Sequence, residues 1–243
     1  MFGDIRNAQG ERLDTTFHPG HAGRKDLVVI GHGVTANKDR PFLQALAEGI
    51  SATGRPALRF SFSGNGESEG EFVDSCVSKE VEDLGSVIDA VDGFRVAYAG
   101  HSMGAAVGVL RASRDDRIEA LISLAGMVHT ESFAQRKFGD QKPGESFMWD
   151  KPECPLSQHF MDDMKAIGSV ARLGSEIQVP WLLVHGTGDT VVPLQDALDI
   201  WQVAGNKPEL VKLDGADHVF TGGAAGQMVQ AVTHWLDRHW KPE

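Results

Sequence analysis

The stretch Arg95-Val96-Ala97-Tyr98-Ala99-Gly100-His101-Ser102-Met103-Gly104 runs from a short apolar segment into a G-x-S-x-G pentapeptide, and Ala105–Ala112 continues with helical spacing. A serine held between glycines where a strand turns into a helix is lifted clear of the backbone, because only glycine tolerates so tight a turn. The helix that follows aims free N–H groups at the same place, where negative charge would be stabilised. The pattern therefore predicts a serine nucleophile held clear of the backbone at the end of a buried strand.

Working outward, the same strand-then-glycine rhythm recurs. Leu27–Ile30 precedes Gly31-His32-Gly33, Ala57–Phe62 precedes Ser63-Gly64, and Trp181–Val184 precedes His185-Gly186. Near-continuous apolar runs of this length suit parallel strands buried on both faces. Between them, Phe42, Leu43, Leu46, Ala47 and Ile50 form one helical face and Val77, Val81, Leu84, Ile88 and Val91 another; Leu194–Val203 and Met228–Trp235 read likewise. Ala120–Leu124 and Glu209–Leu213 are the remaining strands, and Ile5-Arg6 and Arg12–Phe17 flank a turn at Asn7–Gly10 that predicts an opening hairpin. The expected fold is α/β, a mostly parallel central sheet flanked by helices.

One segment breaks the rhythm. From 127 to 178 no clear strand is visible, and Phe133, Phe138, Phe147, Trp149 and Phe160 are irregularly placed among four methionines. This stretch is expected to form a small helical cap inserted into a core made of residues 1–126 and 179–243. Met127, Phe147, Trp149 and Phe160 are assigned to the substrate pocket.

A serine hydroxyl needs a base, and the base needs an orienting acid. His218 in Gly215-Ala216-Asp217-His218-Val219-Phe220 follows the last strand, and Asp189 in Gly186-Thr187-Gly188-Asp189 follows the one before it. Asp217 adjoins His218 too closely to reach its ring Nδ1, and Asp214 ends a strand without the loop context. Oxyanion donors are expected at the backbone N–H of Val34, in Gly31-His32-Gly33-Val34-Thr35, and of Met103, next to the serine. His32 and His101 flank the site in positions that fit packing or hydrogen bonding.

The order Ser102, Asp189, His218 and the stretch His32-Gly33-Val34-Thr35-Ala36-Asn37-Lys38 resemble the α/β-hydrolase superfamily. The likeness is to its serine aminopeptidase-like and monoacylglycerol-lipase-like branch, with bacterial carboxylesterases and feruloyl (cinnamoyl) esterases. It covers nearly the whole chain and implies nucleophile, acid and base roles for Ser102, Asp189 and His218. It also implies ester hydrolysis; the aromatic and Met-rich cap suggests a small to medium acyl or aryl group, and the likeness of the oxyanion loop favours hydroxycinnamoyl esters. Ser61 and Ser63 stand where relatives usually carry an Asp and an Arg, which puts a structural charge pair in doubt. A peptidase or amidase, a monoacylglycerol lipase, and a non-catalytic binding protein are the alternatives. The carboxylates Asp150, Glu153, Asp162 and Asp163 are candidates to anchor a substrate amine.

Composition narrows the partners. Of 243 residues 41% are hydrophobic and 23% charged, which excludes a disordered chain, and the net charge of −11 disfavours nucleic acid and anionic membranes. No stretch is long enough to span a bilayer, and the N-terminus lacks the basic and apolar regions of a signal peptide. Two cysteines, Cys76 and Cys154, suit free thiols. A cytoplasmic enzyme acting on a small-molecule ester is expected, with no metal or other cofactor and with a homodimer compatible.

Overall fold

The computed structural model describes residues 2–241. In chain order its elements are β1 (Thr15–His18), β2 (Asp26–Gly31), α1 (Pro41–Ala52), β3 (Ala57–Phe60), α2 (Val77–Ala90), β4 (Arg95–His101), α3 (Met103–Ala112) and β5 (Ile118–Leu124). There follow α4 (Thr130–Phe138), α5 (Gln158–Ile167), β6 (Trp181–Gly186), α6 (Leu194–Val203), β7 (Glu209–Leu213) and α7 (Gly223–His239). The strands form one seven-stranded sheet in the order β1-β3-β2-β4-β5-β6-β7, parallel throughout except for β1. The expected mostly parallel sheet is thus found, with a strand at each of the six apolar runs.

The chain leaves β2 to build β3 on one side and returns past it to build β4 on the other. Loops after β2 and β4 therefore diverge, and a crevice opens at their carboxyl ends, where sheets of this type hold ligands. Register places Gly31 opposite Gly100, so the loop after β2 and the turn after β4 start side by side. That pairing assembles the site.

Both faces of the sheet are covered, which explains why its central strands read as unbroken apolar runs. One face packs Leu43, Leu46 and Ile50 of α1 with Met228, Val232 and Trp235 of α7 over Val28, Ile30 and Ala99. The other packs Val81, Leu84 and Ile88 of α2 and Ala106 and Val107 of α3 over Leu27, Val29 and Tyr98.

Two edges differ from expectation. Arg6 and Arg12 share only an isolated bridge instead of a hairpin, because the Asn7 side-chain oxygen accepts the N–H groups of Gln9 and Glu11 and closes the turn locally. Strand β3 stops at Phe60, short of Phe62, since the Phe62 N–H is diverted to the Nε2 of His32 at 3.0 Å.

Between β5 and β6, residues 127–178 carry α4, α5 and two short 3₁₀ turns, Met148–Asp150 and Ala171–Ser175. Their buried side chains, Phe133, Phe138, Phe160 and Met164, are continuous with the apolar layer over the α2–α3 face. Asp196 of α6 ties the entry of this segment down by accepting the N–H groups of Val128 and His129. No helix among the described residues is long and apolar enough to cross a membrane.

Candidate active site

Ser102 sits at φ 55°, ψ −117° between β4 and α3, a conformation L-residues rarely adopt. The glycines around it are dictated by contact: a Cβ on Gly100 would drive into the Gly104 carbonyl, and one on Gly104 into the carbonyl of His32. The Ser102 N–H donates to the Leu124 carbonyl at 2.9 Å, and the Ser102 carbonyl accepts from Met127 at 3.1 Å. The strained turn is thus held from β5 as well.

His218 reaches Ser102 from the loop after β7, its Nε2 lying 3.1 Å from the serine Oγ. On the other side of the ring, Nδ1 lies 2.7 Å from Oδ2 of Asp189. The Asp189 side chain is wholly buried, and its Oδ1 accepts the N–H groups of Val191 and Val192 at 2.8 and 2.9 Å. Burial alone would raise this carboxyl. The close approach of His185, the hydrogen bond from His218 with its charge, and the Val192 N–H outweigh it and hold Asp189 below the usual carboxylate range. The two competing acids are engaged elsewhere. Asp217 accepts the backbone N–H and hydroxyl of Thr221, and Asp214 accepts the Thr187 hydroxyl.

Three further histidines organise the site. His32 is fully buried, with Nδ1 2.8 Å from the Gly33 carbonyl and Nε2 accepting from Phe62, so the ring pins the loop after β2 to the end of β3. Burial pushes its pKa down to about 4, which keeps the ring neutral. His101 donates from Nε2 to the His218 carbonyl at 2.8 Å, and its ring stacks edge-on with Phe42. His185, which the sequence reading passed over, places Nε2 3.0 Å from the Val192 carbonyl and 3.4 Å from Asp189 Oδ2. Its position, the end of the strand whose loop supplies the acid, was the available signal.

Neither the Val34 nor the Met103 N–H is taken by a backbone carbonyl among the described residues. Met103 begins α3, where the N–H groups have no partner within the helix. Val34 and Ser102 border the same cavity, and Gly33 lies so close that a Cβ there would come within 2.8 Å of the serine Cβ.

That cavity, of about 240 Å³, is walled mainly by apolar groups, among them Phe42, Phe133, Trp149, Val191 and Val219. Of the four residues expected to line it, only Trp149 does. Met127 borders a separate small void beside Trp181 under the serine turn. Phe160 is buried against Phe138 in the interior of the 127–178 segment, and Phe147 points to solvent. Phe133, Arg40 and Lys151, absent from the expected lining, take their place. Trp149 borders the cavity while staying partly exposed; it and Asp150 are successive left-handed residues, both at φ 55°, and its ring rests edge-on against Phe138 at 5.0 Å.

A hydroxyl held by an imidazole that a carboxylate orients, beneath a seven-stranded sheet of this order, defines the α/β-hydrolase class. Residues 77–243 match the prolyl oligopeptidase family (Peptidase_S9), and the chain belongs to that family of hydrolases. It is 26% identical over 227 residues to a monoglyceride lipase homolog of monkeypox virus, covering 80% of this chain and 82% of that one. Among solved structures, Est1E from Butyrivibrio proteoclasticus with ferulic acid bound superposes with a TM-score of 0.83 at 22% identity, covering 98% of both chains. The Pyrococcus furiosus esterase Pf2001 superposes with a TM-score of 0.77 at 20% identity, over 98% of this chain and 92% of the other. These likenesses concern the fold.

Proposed function

We propose that the protein is a serine carboxylesterase that hydrolyses small to medium acyl or aryl esters through an acyl-enzyme on Ser102. The observation that carries this reading is the unbroken chain Ser102 Oγ–His218–Asp189, at 3.1 and 2.7 Å, opening onto an apolar cavity of about 240 Å³. His218 takes the serine proton as Oγ attacks the acyl carbon and returns it to the leaving alcohol. Asp189 fixes the ring so that Nε2 faces the serine. The N–H groups of Val34 and Met103 receive the oxyanion, each contributing about 3–4 kcal/mol to the transition state. Water, activated by the same histidine, then releases the acid. Residues 127–178 serve as a cap, contributing Phe133, Trp149 and Lys151 to the cavity wall.

The second reading, a peptidase, has the family match in its favour. Recognition of a substrate amine by the cap is poorly supported. Among the described residues no Asp or Glu lines the serine cavity, while Asp163 is occupied by Ser78 and Asp162 by Gln158. The cavity's small size and aromatic wall favour short acyl or hydroxycinnamoyl groups over long chains, in keeping with the ferulic acid bound by the similar Est1E structure.

The test is a panel of acetyl, butyryl and long-chain nitrophenyl esters, methyl ferulate and an aminoacyl anilide, run on the wild type and Ser102→Ala beside fluorophosphonate labelling. Ester turnover and labelling that both vanish in the variant support the esterase. Turnover of the anilide alone would transfer the reading to a peptidase.

A further inference from the structure

Two cations border the serine cavity, from unrelated parts of the chain. Arg40 immediately precedes α1, just beyond the oxyanion loop, and Lys151 follows the left-handed pair Trp149–Asp150 in the cap. Both are half-buried, and neither makes an ion pair or side-chain hydrogen bond among the described residues. They also border a neighbouring polar groove of about 580 Å³, together with Thr35 and Ala36. The pair therefore stands where the apolar cavity meets the groove. Few cations in this chain are so placed: it carries a net charge of −11, and Lys38 and Arg59 nearby are both bound to Asp39.

Leaving a cation partly desolvated without a counter-charge costs stability, and an anion held at the opening between the two would offset that cost for both. Asp39, which borders the same groove, is already taken by Lys38 and Arg59. Glu153 borders the groove from its exposed side and forms no ion pair with Lys151. Arg40 shares the cavity wall with His101 and Ser102, and its charge adds to the burial that keeps the His32 and His101 rings neutral.

We infer that Arg40 and Lys151 form an anion-binding subsite at the mouth of the Ser102 cavity, which takes a carboxylate or phosphate group carried by the ester substrate. The inference rests on the esterase reading and deepens it: the reacting ester sits over Ser102 with its apolar part against Trp149 and Phe133, and its charged end lies at the junction. Arg40 suits a planar, two-pronged contact with either group, and Lys151 supplies a point charge from the opposite wall.

Matched esters differing only in charge test this. On the acyl side, mono(nitrophenyl) glutarate is compared with nitrophenyl pentanoate. On the alcohol side, butyryl glycerol phosphate is compared with butyryl glycerol. The expected result is a kcat/KM about tenfold or more higher for the anionic ester in at least one pair, a preference that shrinks with added salt. The arm that shows it identifies the carboxylate or the phosphate source. In the double variant Arg40→Met/Lys151→Met the ratio falls towards one, and Lys151→Arg retains it. No anionic preference in either pair, or a preference that survives the double variant, overturns the subsite while leaving the esterase reading intact. Failure to turn over any of the four esters would instead remove the esterase reading. The subsite is then decided by calorimetric titration of Ser102→Ala with glutaramate and with pentanamide: tighter binding of the anion upholds it, and equal binding overturns it.

Discussion

The Nε2–H of His101 donates to the backbone carbonyl of His218 at 2.8 Å, so the residue preceding the serine carries the loop that brings the imidazole to it. Serine turn and histidine loop are thereby fixed to each other by a bond that involves no reacting atom. His101 is expected to act as a positioning residue. Replacement by Leu should lower kcat by about 10- to 100-fold, because small displacements of a catalytic group are costly, with little change in KM. His101→Gln, which restores a donor, should recover part of the loss. Equal rates in wild type and His101→Leu would show that the bond positions nothing.

The same dependence on orientation applies to the acid. Asp189 is held below the usual carboxylate range despite its burial, by the close approach of His185 and by hydrogen bonds from His218 and the Val192 N–H. It therefore stays ionised at all pH values above about 4. The acid limb of the kcat/KM profile should accordingly follow a single proton, with unit slope. Asp189→Asn should reduce kcat by about 10⁴-fold by favouring the wrong tautomer of His218. For folding the sign is that of a depressed acid: its contribution is complete above the unfolded-state pKa and is lost as pH falls through the folded one. A two-proton acid limb in the wild type would contradict this role.

How far the sequence anticipates these relationships depends on whether they are local. The strands and the Gly100–Gly104 turn were legible because burial on both faces and contact with neighbouring backbone leave few residue choices at each position. The loops holding Asp189 and His218 were found because each follows a strand that the pattern locates. The cap was different. Its aromatic residues carry no periodic signal that separates Phe160, which fills the interior, from Trp149, which faces the cavity. Their separation depends on backbone turns such as the left-handed pair Trp149–Asp150, which composition does not reveal. Phe160→Ala should therefore cost about 3–5 kcal/mol of stability and leave the ranking of acyl chains unchanged. Trp149→Ala should instead shift that ranking towards bulkier groups. A chemical denaturation series beside the ester panel separates the two.

Away from the cavity, Glu80 in the first turn of α2 is fully buried, and its Oε2 has no hydrogen-bond partner. Burial raises its pKa well above the usual value, and the nearby carboxylates Asp83 and Asp163 add to the effect. The folded state thus keeps a proton that the unfolded chain releases at lower pH. Stability must then fall as pH rises from the unfolded-state pKa to the folded one, by at most about 1.4 kcal/mol per pH unit for one proton. Glu80→Gln should remove this slope and raise stability at neutral pH. Asp83, also raised by its burial, will leave a residual slope. Urea titrations of both proteins across that pH range provide the check, and parallel curves would rule the effect out.

Ser102 offers a direct measure of what the serine turn costs. At φ 55°, ψ −117° any side chain is strained, by about 1–3 kcal/mol. Ser102→Ala removes the hydroxyl but keeps the Cβ and hence the strain, whereas Ser102→Gly removes both. Glycine also adds roughly 0.4–1 kcal/mol of entropy to the unfolded chain, so at mid-range strain the net gain of Gly over Ala should be about 1 kcal/mol. In a domain of this size each kcal/mol shifts Tm by about 2–4 °C. Both variants should be inactive, with Ser102→Gly melting above Ser102→Ala. Coincident melting curves would mean that the turn is relaxed, and that the hydroxyl is presented without any cost in stability.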